Sequence, residues 1–546
     1  TFRDGGSPRF HAERGSPVNP NPDSPAPEDH LAVPILNTGE FYCRVLDAYN
    51  RGIAEEELPA DLDVARSLIP PATGALRDFS YLSPEIPRLD SSKCVGCMDC
   101  VTQCPDTAIL ARAIYPEELD KHLARLADEP LRNRLRQQFA TTTKYFDTYR
   151  KKGQKGGLFG IFVDPTKCKG CAECITACGE HDALSMIRKD DKELEWFKAA
   201  FQFFRSLPDT PKALINEKAL GDMMLAERSL LFVGGAGSCM GCGEATIIRM
   251  MLAATGFIYG RDSIGIVAAT GCNTVYGSTY PYNPFQVAWT NSLFENAPPV
   301  AMGIRMRWDQ MGWEKKRIWA FGGDGAMLDI GFQGLSRMFM SGMDIKVLVL
   351  DTQVYSNTGG QASSSTYLAQ NAKMSAVGTT IMGKTERRKE LSQIAMMHPG
   401  VFVAQTSPAL PNHFYRAVLA ANEYPGPAVI NCYAACQPEH GIGDDMAYSQ
   451  AKLAVESRAF PVFLYDPRKG EKIRERLSLM GNPALKEDWY NHPKTGEPID
   501  FICFARTEGR FAKHFDAQGN PSEALKAAQA DRLANWHLLQ ELAGLR

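Results

Sequence analysis

Two runs of closely spaced cysteines restrict the fold of this chain more than any other feature. The first run is Cys94, Cys97, Cys100 and Cys104, and the second is Cys168, Cys171, Cys174 and Cys178. Three thiolates placed three residues apart on a tight loop can bind three irons of a cubane, while the fourth points towards another cluster. The spacing therefore predicts a small α+β domain, ferredoxin-like in pattern, that binds two [4Fe–4S] clusters.

The fourth cysteine of each run is expected to complete the cluster of the other run. One predicted ligand set is Cys94, Cys97, Cys100 and Cys178, and the other is Cys168, Cys171, Cys174 and Cys104. A pair of structural zinc sites is the alternative, but zinc ligands usually come in two-plus-two spacing. Gly179 stands where a second proline would be usual, a departure that leaves all four ligands of the second run in place.

Composition indicates a reducing compartment and excludes several kinds of partner. Ten of the fifteen cysteines have ligand-like spacing and no secretory leader is recognisable, so we expect metal ligation in the cytoplasm rather than a disulfide framework. A net charge of −3 gives no general attraction to nucleic acid or to an anionic membrane surface. No uninterrupted apolar run of about 18 residues predicts a membrane span.

The order of segments predicts an α/β protein with a parallel sheet. Between 226 and 460, short β-rich runs alternate with helical stretches and glycine-rich turns, which is typical of parallel strands joined by crossover helices. The expected segments are a Pro-rich extended arm at 1–34, a linker or docking segment at 35–90, the two-cluster domain at 91–190, a linker at 191–225, the sheet domain at 226–460 and a helical docking arm at 461–546.

A second ligand-binding motif lies where two predicted strands end. Gly322-Gly323-Asp324-Gly325 follows the run 317–321, and Asp351-Thr352 follows the run 346–350. Ligands of parallel sheets bind at the carboxyl ends of strands, and glycines let backbone N–H groups approach a diphosphate. Asp324 offers a hard oxygen for Mg²⁺, and Thr352 offers a second one. A simple tight turn would be the better interpretation of Gly-Asp-Gly alone, but the companion segment favours the metal site.

These strand-end segments resemble a known enzyme family. Gly-Asp-Gly with the later Asn357 resembles the thiamine diphosphate motif, and the run from Asp351 to Gln361 resembles the pyruvate:ferredoxin oxidoreductase family in particular. The similarity extends from about residue 80 to the C-terminus and corresponds to the second half of the long single-chain enzymes of that family. It implies a pyrophosphate-type thiamine domain, with Mg²⁺ held by Asp324, the Thr352 hydroxyl and the Val354 carbonyl. It also implies cofactor contacts from Gly323, Gly325 and Ala326, and a catalytic Asn357 facing the reacting centre.

The same resemblance implies a third [4Fe–4S] cluster beside the cofactor. Its ligands would be Cys239, Cys242, Cys272 and Cys436, and both Cys272 and Glu244 would contact the cofactor. From the residues alone this set is weak, since buried cysteines are common in protein cores. Cys432 competes with Cys436 for the last position, and the loop from Tyr433 to Gly441 favours Cys436 because it resembles the closing loop of the family. His440 in that loop could be an acid–base group, but a structural histidine is the preferred interpretation.

The function implied by the resemblance is CoA-dependent oxidative decarboxylation of pyruvate to acetyl-CoA and CO2, or its reverse. Electrons would pass through three [4Fe–4S] clusters to ferredoxin or flavodoxin. The alternatives are an enzyme of the same build that acts on 2-oxoglutarate or another 2-oxoacid, and a non-catalytic iron–sulfur electron carrier. The thiamine domain that holds the aminopyrimidine is not recognisable in this chain. We therefore expect a separate partner subunit and a dimer of such pairs.

Overall fold

The computed structural model describes residues 38–58, 68–378 and 380–546. The predicted Pro-rich arm at 1–34 lies outside the described residues. The chain divides into two compact units, Thr1–Leu68 and Ile69–Arg546. In the first unit the described helical segments are Thr38–Glu40, Phe41–Leu46, Asp47–Arg51 and Ala54–Glu57. None of the helices in the described parts of the chain has the length and apolar character needed to cross a bilayer.

The described strands are short and are numbered here in chain order. They are β1 Glu85–Leu89, β2 Ile109–Ile114, β3 Phe139–Ala140, β4 Leu158–Val163, β5 Leu184–Arg188, β6 Ile264–Ala269, β7 Ala288–Ser292, β8 Arg317–Gly323, β9 Lys346–Asp351, β10 Ala376–Val377, β11 Met382–Gly383, β12 Phe402–Thr406, β13 Ala428–Tyr433, β14 Phe463–Tyr465, β15 Leu477–Ser478, β16 Tyr490–Asn491 and β17 Pro498–Ile499.

The α-helices of the second unit lie between these strands and, for the last two, after β17. They are Asp99–Thr102, Pro116–Leu123, Glu129–Arg136, Thr148–Lys151, Glu173–Cys178, Asp191–Ser206, Leu220–Met223, Gly243–Tyr259, Cys272–Gly277, Ala297–Gln310, Phe332–Phe339, Leu391–Met396, Pro411–Glu423, Gln437–His440, Ala447–Glu456, Ile473–Arg476, Phe501–Arg506 and Glu523–Leu542.

The largest sheet has eight strands in the order β15-β14-β12-β13-β9-β8-β6-β7. The six strands from β12 to β7 are mutually parallel, whereas β14 runs antiparallel to β12 and β15 runs antiparallel to β14. Every residue of β6, β9 and β13 is buried, which explains why these strands are mostly apolar in the sequence. The expected α/β class with a parallel sheet is confirmed.

Helices cover both faces of this sheet. Alternate residues of each strand point to opposite faces, so Leu348 and Leu350 join one core while Val347 and Val349 join the other. The first core includes the helices Gly243–Tyr259 and Pro411–Glu423. The second core includes residues of Ala297–Gln310, Phe332–Phe339 and Leu391–Met396. Crossover helices on both faces leave the strand ends as the open edge of the sheet.

The cysteine region forms two small antiparallel sheets, β1-β5 and β2-β4-β3. It belongs to the same compact unit as the eight-stranded sheet. Side chains tie the two parts together: the Thr107 hydroxyl donates to the Phe232 carbonyl at 2.7 Å, and the Gln103 amide donates to the Pro408 carbonyl at 2.9 Å. These contacts hold the cysteine loops against the rest of the unit.

Two expected segments differ from the structure. The segment 191–225 is not a simple linker, because the helix Asp191–Ser206 buries Trp196, Phe197 and Phe204 in the core. The segment 461–546 is not a separate helical arm, because β14 and β15 belong to the large sheet and Trp536 is fully buried. A polar average composition conceals apolar residues that recur on one side of a helix, and those residues decide where the helix packs.

We expect a pH-dependent loss of stability from His413, a buried residue of the helix Pro411–Glu423. Burial, helped by the nearby Arg416, lowers the pKa of His413 to about 4, while its Nδ1 lies 2.8 Å from the Thr406 hydroxyl. The unfolded chain binds a proton below pH ~6.5 that the folded chain does not, so stability falls as the pH decreases through that value. Between pH 7 and pH 5 the loss from this residue should be about 2 kcal/mol.

Denaturant unfolding of the wild type and His413→Gln at both pH values checks this expectation. The variant should lose less stability than the wild type on acidification. Equal losses in the two proteins would contradict the buried neutral histidine.

Candidate functional site

Four neighbouring strands end at one edge of the large sheet and carry the predicted site residues. Cys272 follows β6, Asp324 follows β8, Thr352 follows β9 and Cys436 lies three residues beyond β13. These strands are adjacent and parallel, in the order β13-β9-β8-β6. Because their carboxyl ends face the same way, residues that are 164 positions apart in the chain (272 to 436) come to one edge.

The three oxygens predicted to hold Mg²⁺ lie next to one another. The Thr352 hydroxyl oxygen is 3.0 Å from an Asp324 carboxylate oxygen and 3.1 Å from the Val354 carbonyl oxygen. Ligands about 2.0–2.1 Å from an octahedral ion lie roughly 3 Å apart along an edge of the octahedron. The spacing and the all-oxygen donor set therefore fit Mg²⁺. The Ser363 hydroxyl donates to the other oxygen of Asp324 at 2.5 Å and orients the carboxylate.

Asp324 is fully buried, and its charge is unfavourable there without a cation. Burial, followed by the neighbouring Asp351, raises the pKa of Asp324 to about 7. Asp351 itself forms a buried ion pair with Arg388, so that arginine is already engaged. A divalent cation bound to Asp324 would stabilise the ionised carboxylate, which is the electrostatic condition expected of a metal ligand.

A cleft opens beside these oxygens. Its lining comprises Glu244, Thr270, Gly271, Cys272, Phe294, Gly323, Asp324, Gly325, Ala326, Val354, Tyr355, Ser356, Asn357 and Thr358. All the predicted cofactor contacts except Thr352 line this cleft. A Cβ atom on Gly325 would lie 2.3 Å from the Tyr355 ring, so only glycine fits at this position. The Tyr355 ring therefore packs directly against the backbone of the Gly-Asp-Gly turn.

Glu244 contributes an unusual carboxyl group to the cleft. It lies in the first turn of the helix Gly243–Tyr259 and is buried. Burial, and then the charge of Asp324, raises the pKa of Glu244 to about 8, while the Tyr276 hydroxyl is 3.4 Å away. A carboxylic acid that stays protonated near neutral pH can donate a hydrogen bond to a ligand.

Two further cavities are each lined by four predicted ligand cysteines. The first cavity is lined by Cys94, Cys97, Cys100 and Cys178, and the second by Cys104, Cys168, Cys171 and Cys174. The structure thus groups the side chains in the crossed arrangement, and their role as ligands stays a prediction. In the described parts of the chain no three His, Cys, Asp or Glu side chains converge tightly enough for a single metal ion. Four cysteines around an open cavity fit a multi-iron cluster better than zinc.

The two cysteine loops have matching backbone conformations, which explains why the fourth cysteine of each loop lines the cavity of the other loop. Met98 and Ala172 stand at equivalent positions, each with positive φ, and each begins a short helix. The helices Asp99–Thr102 and Glu173–Cys178 pack against each other. This pairing brings the last cysteine of each loop to the cavity of the other loop.

The third predicted cysteine set lies at the cleft. Burial, followed by the charge of Glu244, raises the pKa of Cys242, and Cys239 and Cys436 add smaller contributions, so the three thiols are near neighbours. Burial, followed by the charge of Glu244, raises the pKa of Cys272, and Cys242 and Cys239 add smaller contributions. The Cys272 sulfur lies 3.5 Å from the Ser356 hydroxyl. The Gly243 N–H donates to the Ala435 carbonyl at 3.2 Å, which joins the two loops directly.

Cys432, the competitor for the last position, lies elsewhere. It is fully buried within β13 and belongs to the apolar core of one face of the sheet. Burial raises its pKa, with Asp351 as the only charged neighbour that acts on it among the described residues. The structure therefore brings Cys436, and not Cys432, to the other three cysteines.

A buried polar network around the loop 352–354 was not predicted from the sequence. His440 Nε2 lies 2.8 Å from the Thr352 carbonyl oxygen, and Arg510 donates to the Gln353 side-chain oxygen at 3.0 Å. Gln353 has a φ of 57°, a left-handed conformation that is uncommon outside glycine. Glu508 pairs with Arg510 and approaches His440 at 3.6 Å. These contacts identify His440 as a residue that positions the loop, and no local sequence signal connects it to Glu508 or Arg510.

Comparisons with known proteins agree with this site. The thiamine pyrophosphate enzyme C-terminal TPP binding domain matches residues 269–432, and the 4Fe-4S binding domain matches residues 87–110. The pyruvate-flavodoxin oxidoreductase of Rhodospirillum rubrum is 28% identical and aligns over 84% of this chain and 41% of its own length. The pyruvate:ferredoxin oxidoreductase of Moorella thermoacetica is 28% identical over 94% of this chain and 47% of its own length.

Among solved structures, a 2-oxoglutarate:ferredoxin oxidoreductase from Magnetococcus marinus matches with a TM-score of 0.34 and 20% identity, over 40% of this chain and 69% of its own. The sequence matches and the site define a protein with a thiamine diphosphate domain and a ferredoxin-type iron–sulfur motif. The chain is similar to pyruvate:ferredoxin and pyruvate-flavodoxin oxidoreductases over most of its own length. It spans less than half the length of the two relatives described above.

The buried pair of Arg388 and Asp351 behind the metal loop should be important for stability. Arg388→Met removes one partner and leaves a carboxylate buried without its counter-charge, so we expect a loss of about 3–5 kcal/mol in the free energy of unfolding. The neighbouring Arg387 is the matched control, since its side chain is 70% exposed and its buried partner Asp531 keeps a second ion pair with Arg532. Arg387→Met should lose no more than about 1 kcal/mol.

Denaturant unfolding of both variants provides the measurement. Similar losses in the two variants would show that burial of the Arg388 pair has no special energetic role.

Proposed function

We propose that this chain carries the diphosphate site and the electron-transfer path of a 2-oxoacid:ferredoxin oxidoreductase, with pyruvate as substrate. The reaction would be CoA-dependent oxidative decarboxylation to acetyl-CoA and CO2, or its reverse. The observation that carries the proposal is that one cleft is bordered both by the Mg²⁺-type oxygens and by a cysteine of the third set, Cys272. The names of the curated relatives support pyruvate as the substrate.

The residues of the cleft divide into a metal-binding and a ligand-facing group. Thiamine diphosphate, when bound, supplies the electron sink that decarboxylation of a 2-oxoacid requires. Asp324, the Thr352 hydroxyl and the Val354 carbonyl would hold Mg²⁺, and the Gly323–Ala326 backbone would accommodate the diphosphate. The Asn357 amide would face the reacting groups of the substrate and orient them through hydrogen bonds.

Glu244 would keep a proton in the cleft at neutral pH. Its pKa of about 8 means that the carboxylic acid form is the larger population at pH 7. The acid would therefore donate a hydrogen bond to a ring nitrogen or oxygen of the bound cofactor. Burial is the larger cause of this raised pKa, and the charge of Asp324 is the smaller one.

Three [4Fe–4S] clusters would carry electrons away from the cleft. The set of Cys239, Cys242, Cys272 and Cys436 would come first, because it borders the cleft. The set around Cys168 would follow, since the adjacent Lys169 donates to the carbonyls of Ala236 and Ser238, beside Cys239. The set around Cys94 would be last, next to the exposed Val95, where ferredoxin or flavodoxin would accept the electron.

The site would be completed by polypeptide outside these residues. Thiamine sites of this family form between two domains, and only one of them is recognisable here. We propose that a separate subunit supplies the pyrimidine-binding domain and that such pairs dimerise in the cytoplasm. The curated relatives support additional polypeptide but not its division into a separate subunit, because the matched region is 41% of the longer single chain of the Rhodospirillum rubrum protein. Coenzyme A would bind at the completed site, and a panel of 2-oxoacids with a viologen dye would identify the substrate.

Replacement of Cys436 should remove one cluster, whereas replacement of Cys432 should not. Cys436→Ala is expected to lower the iron content by about four per chain and to stop acceptor reduction, while decarboxylation of pyruvate persists. Cys432→Ala is the matched control, because its thiol lies in the apolar core only four residues away. Iron analysis and dye reduction of the assembled enzyme give the readouts. A full iron content in Cys436→Ala would exclude it as a ligand.

Replacement of Asp324 should abolish cofactor retention. Asp324→Ala removes the carboxylate of the proposed metal site, so the purified assembled enzyme should contain neither thiamine diphosphate nor the associated Mg²⁺. Asp344→Ala is the control, because Asp344 lies just before β9, opposite the Thr352 end, and pairs with Lys346. Cofactor extraction and metal analysis distinguish the two variants. Normal thiamine content in Asp324→Ala would contradict the proposed site.

A further inference from the structure

Arg249 is a buried arginine between the cysteine sets. It lies on the helix Gly243–Tyr259, which begins directly after Cys242, and is 2% exposed. Its Nη1 donates to the Cys104 carbonyl at 3.1 Å and also to the Val101 carbonyl. Arg249 thus holds the turn that connects Cys100, at one four-cysteine cavity, with Cys104, at the other.

The positive charge of Arg249 has no carboxylate partner among the described residues. Its Nε and Nη2 atoms are buried without a hydrogen-bond partner in the part of the chain that the structure describes. The nearby Asp106 is also buried, but it is already paired with Lys169 at 2.7 Å. A buried guanidinium without a counter-charge is costly by several kcal/mol, so an anionic group close by would offset that cost.

The cysteine cavities are where such an anionic group would lie. Cys104 and Cys100 are both within electrostatic reach of Arg249, with Cys104 the stronger neighbour. A [4Fe–4S] cluster held by four thiolates is net negative, because the thiolates outweigh the charge of the cluster itself. One-electron reduction adds a further negative charge without making or breaking a bond. A fixed nearby cation stabilises the reduced form more than the oxidised form.

We propose that Arg249 raises the reduction potential of the cluster held by Cys104, Cys168, Cys171 and Cys174. The inference rests on the proposed cluster assignment and extends it, since it assigns a function to a residue that is not a ligand. Lys189 also acts on Cys168, but it is only half-buried, so solvent screens its charge more strongly. A smaller effect is expected on the cluster at the Cys100 cavity, because Cys100 is the weaker neighbour of Arg249.

The test is a redox titration of the assembled enzyme with dithionite, followed by electron paramagnetic resonance. Arg249→Gln removes the charge but keeps an amide donor for the carbonyls, whereas Arg249→Lys keeps the charge. Cys171→Ser identifies the titration step that belongs to the Cys104 set. In Arg249→Gln this step should move to lower potential by at least a tenfold change in the reduction equilibrium, which is 59 mV for one electron. In Arg249→Lys the shift should be less than half as large.

Arg305 provides a matched control, because it is also buried on a helix and donates to two backbone carbonyls, those of Lys316 and Trp313. Arg305→Gln should leave every potential unchanged. Wild-type potential in Arg249→Gln, or an equal shift in Arg305→Gln, would overturn the proposal. If Arg249→Gln does not fold, Arg249→Lys is the test. Because this variant keeps the positive charge, a tenfold decrease in the reduction equilibrium constant of the Cys104 cluster would overturn a role for the charge. Absence of cluster signals from the wild type would instead reject the cluster assignment itself.

Discussion

The site depends on one electrostatic constraint, a carboxylate buried at the end of a strand. Asp324 has no access to solvent, and its nearest oxygen neighbours are the Thr352 hydroxyl and the Ser363 hydroxyl. Neutral hydroxyls orient a carboxylate but do not balance its charge, so the arrangement favours a bound cation. The parallel sheet makes this arrangement possible, because β8 and β9 end side by side and bring both ligand segments to one edge.

The helix Gly243–Tyr259 connects this edge with the cysteine loops. Its first turn places Glu244 in the cleft, its preceding residue is Cys242, and Arg249 holds the turn between Cys100 and Cys104. A single rigid element thus touches the cleft and contacts or adjoins all three groups of cysteines. Fixed positions matter for electron transfer because the transfer rate depends strongly on the distance between redox centres. The burial of this helix in the core supplies that rigidity.

The C-terminal segment stabilises the metal loop rather than extending away from it. Arg510 reaches Gln353 in this loop and pairs with Glu508, and His440 contacts the Thr352 carbonyl. The left-handed backbone of Gln353 is unfavourable by itself, and a surrounding network of buried contacts can maintain such a conformation. This network gives a structural reason for the 68 residues beyond β15 to fold back over the domain, where Phe504 and Trp536 are fully buried.

The sequence alone determined the features that depend on local spacing. The triplet-plus-one cysteines, the glycine turn at Asp324 and the apolar runs of β6, β9 and β13 are all short-range patterns, and each predicted its element. Tertiary structure alone decided which distant residues meet. Cys436 rather than Cys432 joins the third cysteine set because the alternation of β13 directs Cys432 into the core. Likewise Arg249, Arg388 and Arg510 acquire their roles from partners about 40 to 160 residues away, and no local pattern encodes a pairing at that range.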